Sequence, residues 1–411
     1  MNGGFSNLLE EGSFSMGPYF TEEEEAFRAR ARTWLEKTLA DGRFRMAAGE
    51  PDEKNEVEWV AAQREWDRRL YEGGYAGLAW PKEYGGKGAT VIEQFIFAEE
   101  AARAGTPGGL NNMARSLIGP SIIRHGSDEQ KKRYLPKILS ADEVWVQGFS
   151  EPNAGSDLAS LQTRAELAGD EWVINGQKIW TSYGHHADRM LLLARTEKTD
   201  PPHKGISCFL LDLKSSGLTI RPIRQLTGKT GFCEEFFDNV RVPKENLLGP
   251  LNGGWGVAMT ALGYERSVLN AGRHLVMDQF LRRLVAEAGD RLAPDGEGGA
   301  LFLERLGRAY AAAWGLGYLQ YYYANRWAQG APPGSESSLL RLTWALAYQE
   351  TAELAVDVLG PRAQIAYGPD AIDDGEWLFQ YYSSRSRGIS SGTLEIQRNV
   401  IADRILGLPR R

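Results

Sequence analysis

The chain has 411 residues, 42% of them hydrophobic, with 54 acidic against 47 basic side chains and a net charge of −7. That length calls for two or three domains, and the acidic balance argues against a nucleic-acid partner held on a broad basic face. The only two cysteines, Cys208 and Cys233, make no disulfide framework and fit a reducing cytoplasm, while no apolar run is long enough to span a membrane and no signal peptide opens the chain.

Residues 1–18, rich in Gly, Ser and Asn, read as a flexible N-terminus. A helix begins at Thr21: Thr21-Glu22-Glu23-Glu24 fits a capping box with acids in the first turn, and Phe27, Ala31, Trp34, Leu35 and Leu39 recur at helical spacing. Helical patterns also cover 56–73, 90–104 and 111–138, and the Gly/Pro-rich GGYAGLAWPKEYGGKG separates the first two. From Val144 to about 248 the pattern becomes short and alternating, as in WVINGQKIW, RMLLLART and GISCFLLDL. Asn175-Gly176 between two apolar runs predicts a hairpin turn. His185-His186, read as neighbours on a strand, point to opposite faces, so no metal site is predicted. A helical pattern returns from Val257 to about Leu284, GDRLAPDGEGG interrupts it, and three or more helices follow. The chain therefore reads as α+β and multi-domain: a helical domain over 19–142, a middle β domain over 143–252 and a helical domain over 253–411. A cleft is expected where the layers meet.

Two stretches can carry chemistry. VQGFSEPNAGSDLASLQTRAE combines the hydroxyls of Ser150, Ser156 and Ser160 with Pro152 and Gly155. It suits a surface turn capped by Ser and Asp, and equally a loop offering N–H and O–H donors to an electron-rich ligand. In GQKIWTSYG, Trp180 is flanked by Thr181 and Ser182. The indole suits a β-domain core, or a wall against a planar ring. Near the C-terminus, Ser390-Ser391-Gly392-Thr393 is a polar loop between an aromatic-rich and an amphipathic segment.

The motifs QGFSEPNAGSD, GQKIWTS, GISCFLLD, FFDNVRVPKENLLG and SGTLEIQRNVIADRILGLP, in this order, resemble those of the acyl-CoA dehydrogenase flavoproteins, from about Phe20 to Leu408. The resemblance implies the family fold: an N-terminal helical domain, a middle β-barrel-like domain and a C-terminal four-helix bundle. It implies FAD between the middle domain and the C-terminal helices, an acyl-CoA substrate and electron-transfer flavoprotein as electron acceptor. Carried over by position, Gln147, Phe149, Ser150, Gly155 and Ser156 approach the flavin, Trp180, Thr181 and Ser182 pack beside it, and Thr393 and Glu395 close the FAD site. Ser156 also contacts substrate, together with Arg266, Ser391 and Gly392.

The family reaction removes the α-proton of a thioester while a hydride leaves the β-carbon. It requires donors on the carbonyl oxygen and a placed carboxylate. Many members carry a glutamate immediately before the Gly-Thr of the C-terminal loop; here Ser391 stands there, and a serine hydroxyl is no base for this proton. A second branch of the family places the base on the first helix of the C-terminal domain, where this chain has Glu265 beside Arg266. Its neighbours Ala261, Leu262 and Leu269 are apolar, so an ionised Glu265 is costly without a task. The alternative is an ordinary ion pair.

The cross-subunit Arg-x-x-Phe-Gly and Gln-x-x-Gly-Gly-x-Gly elements of many members are replaced by AEAGDRLAPDGEGGALFLERLG and AVDVLGPRAQ. In this the chain resembles the branch of mixed-subunit enzymes acting on bulky acyl-CoAs, including sterol side-chain and ring-fragment thioesters. The expectation is an acyl-CoA dehydrogenase of fatty acid or sterol degradation, in a homo- or hetero-oligomer, dimer or tetramer. The alternatives are a non-catalytic partner subunit, or a relative that oxidises a carrier-bound acyl group.

Overall fold

The computed structural model describes residues 20–40, 42–44, 51, 55–265, 271–293, 298–331 and 334–409. Helix α1 (Glu22–Leu39) opens as its sequence requires: the Thr21 hydroxyl accepts the Glu24 N–H, and the Glu24 carboxylate accepts the Thr21 N–H. α2 (Glu56–Glu72) buries Trp59, Trp66 and Leu70, and α3 (Val91–Ala104) repeats the capping box with Thr90 and Glu93. The pattern over 111–138 divides into a π-helical turn (Ala114–Ile118), α4 (Gly119–His125) and α5 (Asp128–Ser140). The break after α4 comes from extended backbone at Gly126 and Ser127, where the Ser127 hydroxyl and the Gln130 side chain cap α5.

The middle region is one eight-stranded sheet: β1 (Trp145–Gly148), β2 (Arg164–Ala168), β3 (Glu171–Ser182), β4 (Arg189–Arg195), β5 (Ile206–Asp212), β6 (Leu218–Ile223), β7 (Phe232–Pro243) and β8 (Leu247–Leu248). Its order is β6-β7-β3-β2-β4-β5-β8, with β1 parallel to β4. β4 is apolar without alternation because both of its faces are covered. Leu191 and Leu193 enter a core shared with α2, α4 and α5, while Met190, Leu192 and Ala194 enter a second core with Trp172, Phe209 and Val240.

Asn175-Gly176 is not the hairpin turn. The turn is Gly169-Asp170, between Ala168 of β2 and Glu171 of β3. Asn175 and Gly176 lie inside β3, where the register with β7 shifts. Gly176 has φ +148°, and a Cβ there would lie 2.6 Å from the Thr163 backbone. Asn175 Oδ1 accepts the Asn239 N–H at 2.8 Å across the same irregularity. The dipeptide's tolerance of unusual backbone thus serves a bulge rather than a reversal.

The C-terminal helices are α6 (Gly254–Glu265), α7 (Arg273–Ala288), α8 (Gly299–Ala328), α9 (Ser337–Leu359), α10 (Glu376–Ser386) and α11 (Leu394–Val400). The single helix expected from Val257 to about Leu284 is divided: α7 starts afresh after Gly272, at φ +79°, where a Cβ would meet the Ala98 carbonyl oxygen at 2.8 Å. Helices α7 to α10 enclose a core of Leu281, Leu284, Leu316, Leu354, Ala355 and Trp377. α6 belongs elsewhere, adding Val257, Ala258 and Ala261 to the core under β4. Among the described residues no helix is long and apolar enough to cross a membrane.

Candidate functional site

Most of the expected flavin contacts lie on β1, the loop after it and the end of β3. The ladder from β3 to β7 shifts between Ile179 and Thr181, and Trp180, with φ +67°, stands in the gap. That backbone is strained for a bulky residue, at about 1–3 kcal/mol. It aims the indole outward, 55% exposed, with an edge contact to Phe232 at 6.1 Å. The bulge also returns Thr181 to the interior, where it is 1% exposed and its hydroxyl donates to Glu235 at 2.8 Å. Ser182 is half-buried.

The loop lies against this strand. Ile179 N–H donates to the Ser150 carbonyl at 3.0 Å. Lys178, with no exposed surface, donates to the Phe149 carbonyl and the Glu151 carboxylate, both at 2.9 Å. Glu151 in turn accepts the N–H groups of Gln162 (2.6 Å) and Thr163 (2.8 Å). Phe149 turns its ring into the core, Gln147 is half-buried, and Gly155 and Ser156 are exposed, with no heavy atom within 4 Å of the Gly155 Cβ position.

Burial, opposed by the Glu151 charge, brings the Lys178 ammonium down to about 8, so it stays largely protonated at neutral pH. Burial works against the Glu151 charge too, yet Lys178 and the two amides hold its carboxyl below the ordinary range. Burial pushes Glu235 up from 4.5 to about 7; one of its oxygens takes the Thr181 hydroxyl and the other, Oε1, is buried and unbonded.

The second group of expected contacts is the turn between α10 and α11. Ser391 and Gly392 have φ +54° and +86°. The Gln397 amide donates to both of their carbonyls, at 3.1 and 3.2 Å, and Arg341 donates to the Ser390 carbonyl at 2.6 Å. Thr393 is the N-cap of α11, accepting the Ile396 N–H at 3.2 Å, and exposed Glu395 pairs with Arg398 at 3.6 Å. Glu265 is the last residue of α6; its side chain and all of Arg266 lie outside the described residues.

Sequence reasoning missed three features. Lys178, Glu151 and Glu235 went unnoticed, although a lysine at an inward strand position was the available signal. A cleft of about 310 Å³ opens between the β6–β7 connection and α10, lined by Arg224, Lys229, Tyr367, Glu376 and Tyr382 among others. Last, His185 and His186 do not straddle a strand. They sit on a 3₁₀ turn (Gly184–His186) that follows Tyr183 at φ +52°, and both present Nε2 to Glu56 Oε1, at 3.0 and 2.9 Å.

These residues fit a flavin. An exposed indole on a strained bulge beside an open Gly-Ser loop offers a flat apolar wall and donors to a planar, electron-rich ring. Comparison with known proteins shows the family. Family models match residues 21–142 (acyl-CoA dehydrogenase, N-terminal domain), 147–240 (middle domain) and 252–406 (C-terminal domain). The chain is 41% identical over 390 residues, 95% of its length and 99% of the relative's, to acyl-CoA dehydrogenase IpdE1 of Mycobacterium tuberculosis. Among solved structures it resembles the Tcur3481-Tcur3483 steroid ACAD (TM-score 0.83, 31% identity, 96% of this chain and 100% of that one). It also resembles the ChsE4-ChsE5 complex of Mycobacterium tuberculosis (TM-score 0.80, 29% identity, 96% and 100% covered).

Proposed function

The chain belongs to the acyl-CoA dehydrogenase family of FAD-dependent oxidoreductases, and from that premise we propose that it oxidises a bulky, ring-bearing acyl-CoA thioester to the trans-2-enoyl-CoA. In this reading it works in the cytoplasm, in an oligomer with a homologous subunit, and electron-transfer flavoprotein takes the electrons. Its domains are 19–142, 143–252 and 253–411. The bulky substrate and the mixed oligomer rest on the likeness to a steroid ACAD and to a two-component complex, and on the replaced cross-subunit elements. The observation that carries the site is Trp180, strained, bulged and exposed beside the Ser150–Ser156 loop.

Bound FAD supplies the acceptor for the hydride that leaves the thioester β-carbon. The protein's own task is the α-proton. Glu265 takes it as general base, from the end of α6, with Arg266 at the thioester end of the pocket. The backbone N–H groups of the Ser391-Gly392 turn donate to the thioester oxygen as negative charge grows there. Gln147, Ser150, Gly155 and Ser156 hold the polar edge of the ring, the Trp180 indole flanks it with Ser182, and Thr393 and Glu395 close the site from α11. Phe149 and Thr181 act from behind: one lends its carbonyl to Lys178, the other its hydroxyl to Glu235.

The test is anaerobic reduction of the flavin by linear, branched and steroid acyl-CoAs, with and without homologous subunits. Glu265→Gln lowers the rate of bleaching by about 10²–10⁴-fold while FAD and thioester still bind, and Ser391→Ala, which keeps the backbone N–H, changes it only a few-fold. Normal turnover in Glu265→Gln alongside a dead Ser391→Ala overturns the assignment of the base. A protein that stays colourless with FAD and every homologous subunit overturns the enzyme reading.

A further inference from the structure

The His185-His186 turn joins two parts of the molecule and holds none of the residues assigned above to the dehydrogenase reaction. Glu56 is the first residue of α2, and the two imidazoles lie just past the end of β3. Trp59 of α2 packs against Tyr183 beside them, ring centroids 4.9 Å apart and planes tilted by 34°. The three ligand atoms lie within 4.8 Å of one another and the side chains are 16–29% exposed, so the cluster is held in protein yet open to solvent on one side.

We propose that Glu56, His185 and His186 form a zinc site that staples α2 to the middle domain. The donor set, two imidazole nitrogens and one carboxylate oxygen with room for a water, is a common one for Zn²⁺. Tetrahedral bonds of about 2.0–2.2 Å place ligand atoms roughly 3.3–3.5 Å apart. The present Nε2–Oε1 separations of 2.9 and 3.0 Å require only a small spreading to admit the ion. The His185 Nδ1 lies 2.9 Å from Cys233 Sγ, a weak outer partner that leaves Nε2 as the metal-facing atom once Nδ1 carries the proton. The His186 carbonyl is held by Arg64 at 3.1 Å, and Asp188, 3.8 Å from that guanidinium, offsets its charge. Soft-metal chemistry is disfavoured, since the one nearby thiol faces the back of a ring rather than the centre of the cluster. The role is structural because the cluster ties the first turn of α2 to the turn that follows Ser182, and the open fourth position is left to water.

The FAD-loaded protein, stripped with EDTA and dialysed against micromolar zinc, takes up one zinc per chain. Cobalt in its place gives the visible bands of a four-coordinate site, and melting rises with either metal. Glu56→Gln, which can still bond both imidazoles, weakens uptake by at least about 100-fold, beyond the 10–100-fold that loss of an outer partner costs. His186→Asn does the same, and circular dichroism identical to the parent shows that folding is intact. No uptake by the parent protein, or uptake equal in parent and both variants, overturns the site.

Discussion

The two groups of expected flavin contacts are built by opposite means. The β1–β3 group rests on buried charge: Lys178 sits without solvent between a backbone carbonyl and Glu151, and Glu235 backs Thr181. The α10–α11 group rests on capping, with Gln397 and Arg341 bonded to carbonyls and Thr393 starting a helix. Halving a buried ion pair costs about 3–5 kcal/mol, whereas each hydrogen bond to a turn carbonyl is worth about 1 kcal/mol, even though Gln397 and Arg341 are themselves buried. The first group can therefore hold a strained residue such as Trp180 in place. The second is bonded through the carbonyls of Ser390, Ser391 and Gly392, so its shape does not depend on which side chain stands at Ser391.

The largest break expected is Lys178→Met. It leaves Glu151 buried without its cation, a loss of about 3–5 kcal/mol, read by urea unfolding, with FAD content falling because the Phe149–Glu151 loop loses its anchor. A loss under about 1 kcal/mol means that the loop is held by its amides alone. Glu235→Gln sharpens the same side. The folded carboxyl titrates at about 7 against an ordinary 4.5, so the protein loses stability as pH rises from about 4.5 to 7 and is level above. At about 1.4 kcal/mol per pH unit the slope sums to a few kcal/mol. The Gln variant lacks this slope: it matches the parent near pH 4.5 and melts higher at pH 8. Equal melting at both ends would place the proton elsewhere. The smallest effect is Gln397→Ala, which removes two amide bonds to the α10–α11 turn and costs about 2 kcal/mol, roughly 1 per bond, in the same unfolding assay; a cost as large as that of Lys178→Met would mean that the two groups are held equally firmly.

Local signals in the sequence translated well. The capping box at Thr21 is read from neighbours in the chain; the one at Thr90 is equally local but escaped the reading, and β4, taken as part of an alternating pattern, is an unbroken apolar run. What stayed hidden depends on partners far apart in sequence. Asn-Gly suits a turn or a bulge, and only the pairing of β3 with β7 decides which. His185 and His186 were assigned to opposite faces because a strand was assumed; the left-handed residue Tyr183 ends the strand and turns both rings to one side. Lys178 at an inward position of β3 was a signal at hand, but its partners stayed hidden because Glu151 and Glu235 come from a different loop and a different strand.

The core beneath β4 is begun by Leu35 and Trp66 and completed by Val257, Ala258 and Ala261. On a ribosome adding about 5–20 residues per second, the helical layer therefore waits on the order of ten seconds or more for its last wall. During that interval the apolar sides of α1 to α5 lack the cover that α6 gives them in the folded chain. The C-terminal bundle, whose core residues nearly all lie between Met277 and Trp377, closes soon after its own helices appear.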